Sequence, residues 1–133
     1  MPGVKAFSHV SLSVRDLDTS TAFYRDLFGF NVFDKVEDEE EYREHVMLHP
    51  GGMILCLQCH RANAGETFDP KRTGLDHIGF RVDERAELDE WLRTFEERGV
   101  KHSPIVDAPY GSVLCLRDPD DIQLEIFYRE NHP

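Results

Sequence analysis

Two short stretches, each opening on a histidine, decide the fold of this chain. HVSLSV (His9–Val14) and HIGFRV (His77–Val82) share the pattern His-apolar-x-apolar-x-Val. Alternation of this kind is typical of a half-buried β-strand. A polar turn and then a helical pattern follow each stretch, so the sequence contains an internal repeat.

Each of the two predicted helices ends at a glycine. In DLDTSTAFYRDLFGF, the apolar residues Phe23 and Leu27 fall on one helical face, and Asp18 or Thr19 is the predicted N-cap. In ERAELDEWLRTFEERGV the apolar residues recur at i, i+3, i+4 and i+7. Gly29 and Gly99 end the two patterns, as glycine commonly does after a helix.

The two halves also end in similar segments, because HPGGMILCL aligns with DPDDIQLEI. In this alignment Cys56 corresponds to Glu125. Each half therefore reads as strand, helix and about three strands. The predicted fold is α+β: two tandem βαβββ modules forming one cup-shaped mixed β-sheet, with the helices outside. We expect a single domain over residues 1–133. Its modules span about residues 5–60 and 75–130, joined by a polar connector of about residues 60–74.

Strand parity predicts which side chains face into the cup. In the first strand Val10, Leu12 and Val14 share one face, and His9, Ser11 and Ser13 share the other. The same alternation separates the apolar residues of the fifth and last strands from their inward neighbours, which are His77, Gly79, Arg81, Gln123, Glu125 and Phe127. Three potential metal ligands, His9, His77 and Glu125, then share the concave side.

Composition excludes several classes of function. The net charge of -11 would repel nucleic acid and anionic membrane surfaces, and no apolar run is long enough to cross a bilayer. With no signal-peptide pattern and only three cysteines, a cytoplasmic protein without disulfides is expected. The motif Cys56-x-x-Cys59-His60 matches covalent haem attachment. Its two cysteines lie on opposite faces of a strand, however, so we interpret the match as coincidence.

Three segments together resemble the vicinal oxygen chelate superfamily, the fold of glyoxalase I, extradiol dioxygenases and bleomycin-binding proteins. They are FSHVSLSVRDLDTSTAFYRDLFGF, GLDHIGFRV and LRDPDDIQLEIFY. The resemblance covers nearly the whole chain and specifies the fold more strongly than the activity. One departure is Asp121 in DPDD, where the family usually has a turn glycine. We expect it to cost a little turn stability.

Carried over by position, the resemblance implies metal ligands at His9, His77 and Glu125, holding one divalent ion: Fe, Mn, Zn, Ni or Co. Cys56 stands at the superfamily's fourth ligand position. It is either a thiolate ligand or, more simply, a small buried hydrophobe, and Cys59 and Cys115 are interpreted as core residues.

Further residues are candidates for contact with a substrate. Tyr110, in a loop DAPYGSV expected over the cavity, and Glu125 are the catalytic candidates. Tyr110 is also a candidate for substrate binding, with the inward-facing residues Ser11, Arg81 and Phe127. Arg81 could instead pair with one of the many carboxylates.

The resemblance implies a metal-dependent enzyme that chelates two adjacent oxygens of a small molecule. The reaction would be that of an extradiol-type dioxygenase or of a glyoxalase-like lyase or isomerase. The alternative is a drug-binding or small-molecule-binding protein of the bleomycin-resistance type, without turnover. A homodimer is expected, with the modules pairing within one chain or exchanged between two.

Overall fold

A computed structural model describes all residues, 1–133, and divides them into two compact units, residues 1–66 and 67–133. Each unit contains a strand, a helix and three further strands, so the predicted α+β fold of two βαβββ modules is confirmed. The boundary between the units lies within the predicted polar connector. Neither helix is long and apolar enough to cross a membrane.

The first unit is one four-stranded mixed sheet packed on one helix. The elements are β1 (Val10–Ser13), α1 (Leu17–Phe28), β2 (Asn31–Asp38), β3 (Tyr42–Leu48) and β4 (Ile54–His60). The strand order is β1-β4-β3-β2, with β1 parallel to β4 and the other pairs antiparallel. Helix α1 packs on β3 and β4. It buries a core of Leu12, Val14, Leu17, Tyr24, Phe28, Phe30, Met47, Leu55 and Leu57.

The second unit repeats this plan. Its elements are β5 (His77–Arg81), α2 (Ala86–Glu97), β6 (Val106–Ala108), β7 (Gly111–Arg117) and β8 (Gln123–Tyr128), with strand order β5-β8-β7-β6. β5 runs parallel to β8, and β8 pairs antiparallel with β7. Helix α2 packs on β7 and β8 over a core of Leu88, Phe95, Leu114, Leu116, Ile122, Leu124 and Ile126.

The start of α1 corrects one sequence prediction. The N-cap is Asp16, not Asp18 or Thr19: its extended backbone (φ -136°) precedes the helix, and its carboxylate accepts a 2.8 Å hydrogen bond from the Thr19 N–H. The helix begins earlier because Leu17 is buried in the core. Gly29 ends the helix at φ +80°, as predicted, and the Gly29 N–H donates to the Arg25 carbonyl.

Burial follows the predicted parity except on the edge strands. Leu12 and Val14 are buried, but Val10 on the same face of β1 is 37% exposed. On β5, Ile78 and Phe80 are only half-buried. The reason is geometric, because β1 and β5 are the edge strands of their sheets. Helix α1 packs mainly on β3 and β4, and helix α2 packs mainly on β7 and β8.

Candidate metal and substrate site

The last strand of the second unit places Glu125 beside His77. β5 and β8 are parallel neighbours in which Gly79 is paired with Glu125, so His77 lies two residues from that pair on the same face. His77 Nε2 is 3.5 Å from Glu125 Oε2. Two donor atoms that each lie about 2.1 Å from one metal are about 3.0–3.4 Å apart. At 3.5 Å the two atoms are slightly farther apart than this, so a small movement of either side chain would make them adjacent ligands of a divalent ion.

The remaining polar atoms of this pair already have partners. Asp76 Oδ1 is 2.7 Å from His77 Nδ1. This hydrogen bond holds a proton on Nδ1 and leaves Nε2 free to coordinate a metal ion. The same hydrogen bond raises the pKa of His77 above its ordinary value, and the nearby Glu125 charge adds to the effect. Gln123 Nε2 donates to Glu125 Oε1 at 3.1 Å, which leaves Oε2 available.

Cys115 is a third neighbour of this carboxylate. β7 and β8 pair Cys115 with Glu125, and the Cys115 thiol donates to Glu125 Oε1 at 3.8 Å. Burial raises the pKa of the Cys115 thiol, and the Glu125 charge raises it further. The sequence-based interpretation of Cys115 as a core residue is wrong, since the residue is partly exposed and shares the face of Glu125. The register of β7 against β8 places Cys115 beside Glu125.

The other predicted ligands belong to the first unit. His9 directly precedes β1; it is exposed, and its Nδ1 lies 3.0 Å from Ser8 Oγ. Cys56 is buried in β4, and burial together with the Glu44 charge raises its pKa, which keeps it a neutral thiol at pH 7. No group of three or more His, Cys, Asp or Glu side chains has the spacing of a metal site. Within the second unit, the structure brings His77 and Glu125 together.

Tyr110 and Phe127 form an aromatic pair near this position. Their rings stack with centroids 6.5 Å apart and planes within 7°. Phe127 follows Glu125 by two residues on β8 and so lies on the same face. The Tyr110 side chain, in the turn between β6 and β7, is largely exposed. A planar ligand group near Glu125 would therefore meet an aromatic surface.

Two further predicted contact residues lie on the edge strands. Arg81 Nη2 forms a 3.1 Å ion pair with Asp83, which matches the carboxylate pairing considered as its alternative. Ser11 is exposed on β1, where it is paired with Cys56 of β4.

Arg85 fixes the hairpin that carries Tyr110. Its Nε and Nη2 donate to the two oxygens of Asp107 at 2.7 and 3.1 Å, which joins the start of α2 to β6. The Ser112 hydroxyl also donates to Asp107. These contacts lower the pKa of Asp107 to about 2, with the Arg85 hydrogen bond as the largest cause.

Sequence reasoning missed Asp76, Gln123 and Cys115 as partners of the His77–Glu125 pair. The signal for Asp76 was present, because a carboxylate directly precedes the histidine in GLDHIGF. The sequence placed Gln123 on the same strand face as Glu125. Their hydrogen bond depends on side-chain conformation, which the alternation of residues does not predict. Cys115 needed the pairing of β7 with β8, which the sequence repeat does not specify.

The family of the chain follows from residues 6–126, which match the model of the Glyoxalase/Bleomycin resistance protein/Dioxygenase superfamily. This chain belongs to that superfamily.

Individual relatives are similar over most of this chain. A glyoxylase/bleomycin resistance protein/dioxygenase domain from Frankia sp. EAN1pec is 32% identical with a TM-score of 0.88, and the match covers 98% of this chain and 96% of that one. The fosfomycin resistance protein FosX from Listeria monocytogenes, solved with Mn(II) and a sulfate ion, is 22% identical with a TM-score of 0.72, over 97% and 96% of the two chains. Catechol-2,3-dioxygenase from Bacillus subtilis is 26% identical over 90% of this chain and 40% of its own length.

Proposed function

We propose that this protein is a metal-dependent enzyme that acts on a small oxygenated molecule by binding two of its adjacent oxygens to a divalent ion. The observation that carries the proposal is the 3.5 Å separation of His77 Nε2 and Glu125 Oε2. Asp76 and Gln123 occupy the other polar atoms of the pair. Ligating histidines and carboxylates are commonly oriented by hydrogen bonds of this kind.

In this proposal His9, His77 and Glu125 hold the metal. Cys56 stands at the fourth ligand position, where it would have to lose its thiol proton to bind the ion. A bound divalent ion would act as a Lewis acid on the two substrate oxygens. Asp76 would hold the His77 ring in the coordinating tautomer, and Gln123 would fix the Glu125 carboxylate. Two imidazoles and one carboxylate suit Fe, Mn, Co, Ni or Zn and leave coordination positions open.

The remaining predicted residues would bind and orient the substrate. Tyr110 would donate a hydrogen bond to a substrate oxygen, and Phe127 would pack against a planar group. Ser11 and Arg81 would contact polar groups of the same molecule. Arg81 would do so in exchange for its present ion pair with Asp83.

Two reaction types are consistent with this arrangement: an extradiol-type dioxygenase and a glyoxalase-like lyase or isomerase. The similarity to the catechol dioxygenase of B. subtilis supports the first. The Mn(II) named for FosX of L. monocytogenes supports a divalent metal in either. The metal itself discriminates, because Fe or Mn would favour oxygen chemistry and Zn or Ni would favour the lyase or isomerase.

The deciding experiment measures the metal content of anaerobically purified protein by elemental mass spectrometry. We expect about one equivalent per chain in the wild type and loss of the metal in Glu125→Ala. Asp76→Asn should retain the ligands but lower metal affinity by about 10–100-fold, because the His77 tautomer is no longer fixed. Asp26→Asn, which changes the same charge on the surface of α1, is the control. No metal in the wild type, even after reconstitution, would end the enzyme proposal.

A second candidate is a small-molecule-binding protein without turnover. The stack of the exposed Tyr110 on the half-buried Phe127 favours it, since such a surface can bind an aromatic ligand without any metal. A binding protein of this type would retain its ligand after chelator treatment and in Glu125→Ala. The enzyme would lose activity with the metal and regain it with one particular ion.

We also propose a cytoplasmic homodimer, with small molecules rather than nucleic acid or membranes as partners. The three free cysteines fit a reducing compartment. Light scattering coupled to size-exclusion chromatography tests the dimer, and a monomer at all concentrations would contradict it.

A further inference from the structure

A cavity of about 360 Å³ lies in the second unit. This volume is near the lower end of the range for small-molecule sites, about 300–1,000 Å³. The residues that line the cavity come from the segment before β6, from β7 and from the start of β8. They are Lys101, His102, Ser103, Cys115, Leu116, Arg117, Asp121 and Gln123.

The cavity joins the proposed metal site through two shared residues. Gln123 and Cys115 both line it, and both donate to Glu125 Oε1, at 3.1 and 3.8 Å. A molecule in the cavity would therefore lie one side chain away from the Glu125 carboxylate.

Two cations on exposed residues line this cavity, although the chain has a net charge of -11. Lys101 has no ion pair within 4.0 Å. Arg117 directs Nη1 to the Asp121 carbonyl at 3.0 Å and to the Asp121 carboxylate at 3.6 Å. Its Nε and Nη2 make no hydrogen bond and can still bind a ligand. Asp121 is the one carboxylate of the lining and offsets part of this positive charge.

Neighbouring polar groups are arranged around these cations. His102 Nδ1 donates to the Ser103 carbonyl at 2.6 Å, which leaves Nε2 without a proton when the ring is neutral. Ser103 Oγ donates to the Pro104 carbonyl and accepts from the Cys115 N–H. The charged donors that remain for a ligand thus belong to Lys101 and Arg117, which both favour oxyanions.

We infer that this cavity binds the anionic group of a small organic acid, a carboxylate or a phosphoryl group, held by Lys101 and Arg117. The neighbouring oxygens of the same molecule would then reach His77 and Glu125. The inference makes an acid the substrate class of the proposed enzyme, and that second half rests on the proposed function. Binding of the anion itself does not require a metal.

The first test uses metal-free, full-length protein and amide NMR shifts of residues 101–103 and 117. The probes are acetate, its neutral isostere acetamide, and methyl phosphate. We expect acetate or methyl phosphate to bind about tenfold or more tightly than acetamide, and the tighter of the two identifies the anionic group. Equal binding of acetate and acetamide, or no binding of either anion, would overturn the inference.

Matched variants locate the site. Lys101→Gln and Arg117→Gln should each weaken anion binding by about tenfold, whereas Lys71→Gln removes the same charge outside the cavity and should change nothing. Asp121→Asn should tighten binding, because it removes the opposing carboxylate. Anion binding that is unchanged in both Lys101→Gln and Arg117→Gln would place the anion elsewhere and overturn the inference.

The second test compares catechol with protocatechuate, which adds a carboxylate, on Mn(II)-loaded protein. The carboxylate should increase affinity in the wild type but not in Lys101→Gln. A protein that binds acetate through Lys101 and takes up no metal would retain the anion site and refute the proposed function. A protein that binds the metal, does not distinguish the two catechols and binds no anion would refute the anion site and leave the proposed function standing.

Discussion

At the scale of single residues, His45 is a buried group that carries a pH dependence. It lies on β3 with 6% of its surface exposed, and its Nδ1 is 2.8 Å from the Thr21 hydroxyl of α1. Burial lowers the pKa of His45 below the ordinary 6.5, and the charges of Lys35 and Arg43 lower it further against an opposing effect of Asp18. The folded protein therefore favours the neutral imidazole more strongly than the unfolded chain does.

The sign of the effect follows from proton binding. As the pH falls through 6.5, the unfolded chain protonates His45 before the folded chain does. The His45 contribution to stability is therefore present above that pH and is lost as the pH falls through the lower pKa of the folded state. Urea unfolding at pH 7.0 and 5.5 should show a smaller loss of stability in His45→Gln than in the wild type. His132→Gln, at an exposed position, should behave like the wild type. Equal losses in all three proteins would contradict the assignment.

Asp121 shows how one residue can differ from its family without changing the local fold. It adopts φ +69°, a conformation that favours glycine. Its N–H donates to the Asp118 carbonyl, and the Asp118 carboxylate accepts from the N–H groups of Asp120 and Ile122. The turn before β8 is therefore held by Asp118, and the strained residue is tolerated there.

At the scale of elements, the hairpin of β6 and β7 depends on Gly111. Its φ is +149°, and a Cβ at this position would lie 2.5 Å from the Tyr128 carbonyl oxygen and 2.7 Å from Phe127 Cζ. The backbone of β7 thus passes directly over the ring that stacks on Tyr110. No side chain larger than hydrogen fits there.

Gly111→Ala should therefore destabilise the protein by about 2–3 kcal/mol, because the hairpin must move away from β8. Gly99→Ala is the matched control: its φ is +66° with no atom within 4 Å of the added Cβ, so only the backbone cost of about 1 kcal/mol applies. Chemical denaturation measures both. Equal costs would show that the contact with Phe127 and Tyr128 is relieved without strain.

At the scale of the whole molecule, the proposed ligands come from both units, which has a measurable consequence. A metal that binds only the folded protein raises stability by about 2.7 kcal/mol at a hundredfold excess over Kd, which is a Tm increase on the order of 10 °C. Trp91, the single tryptophan, lies on α2 and reports the unfolding of the second unit.

His9→Ala should abolish this Mn(II)-dependent increase in the Tm observed through Trp91, although His9 lies in residues 1–66. His132→Ala, in residues 67–133, removes an exposed imidazole and should leave the increase intact. If His9→Ala keeps the full increase and Glu125→Ala loses it, the metal is held without His9, and the three-ligand proposal is wrong.

Much of the architecture was determined by the sequence itself. The repeated His-apolar-x-apolar-x-Val pattern, the helical spacing that ends at Gly29 and Gly99, and the alternation around Glu125 are local periodicities, and period alone assigns strands, helices and faces. The α1 cap was misplaced because Asp16, Asp18 and Thr19 are all good capping residues, and only the burial of Leu17 selects Asp16.

Tertiary structure decided what surrounds Glu125. The contacts of Cys115 and Gln123 with Glu125 depend on the register of β7 against β8 and on side-chain conformation, and neither is encoded by a local pattern. The cavity that joins Lys101 to Arg117 likewise needs the segment before β6 to pack beside β7. The sequence by itself determined which residues can face a ligand. The packing of distant segments decided which of them meet, because side-chain contacts across strands depend on pairing that periodicity does not specify.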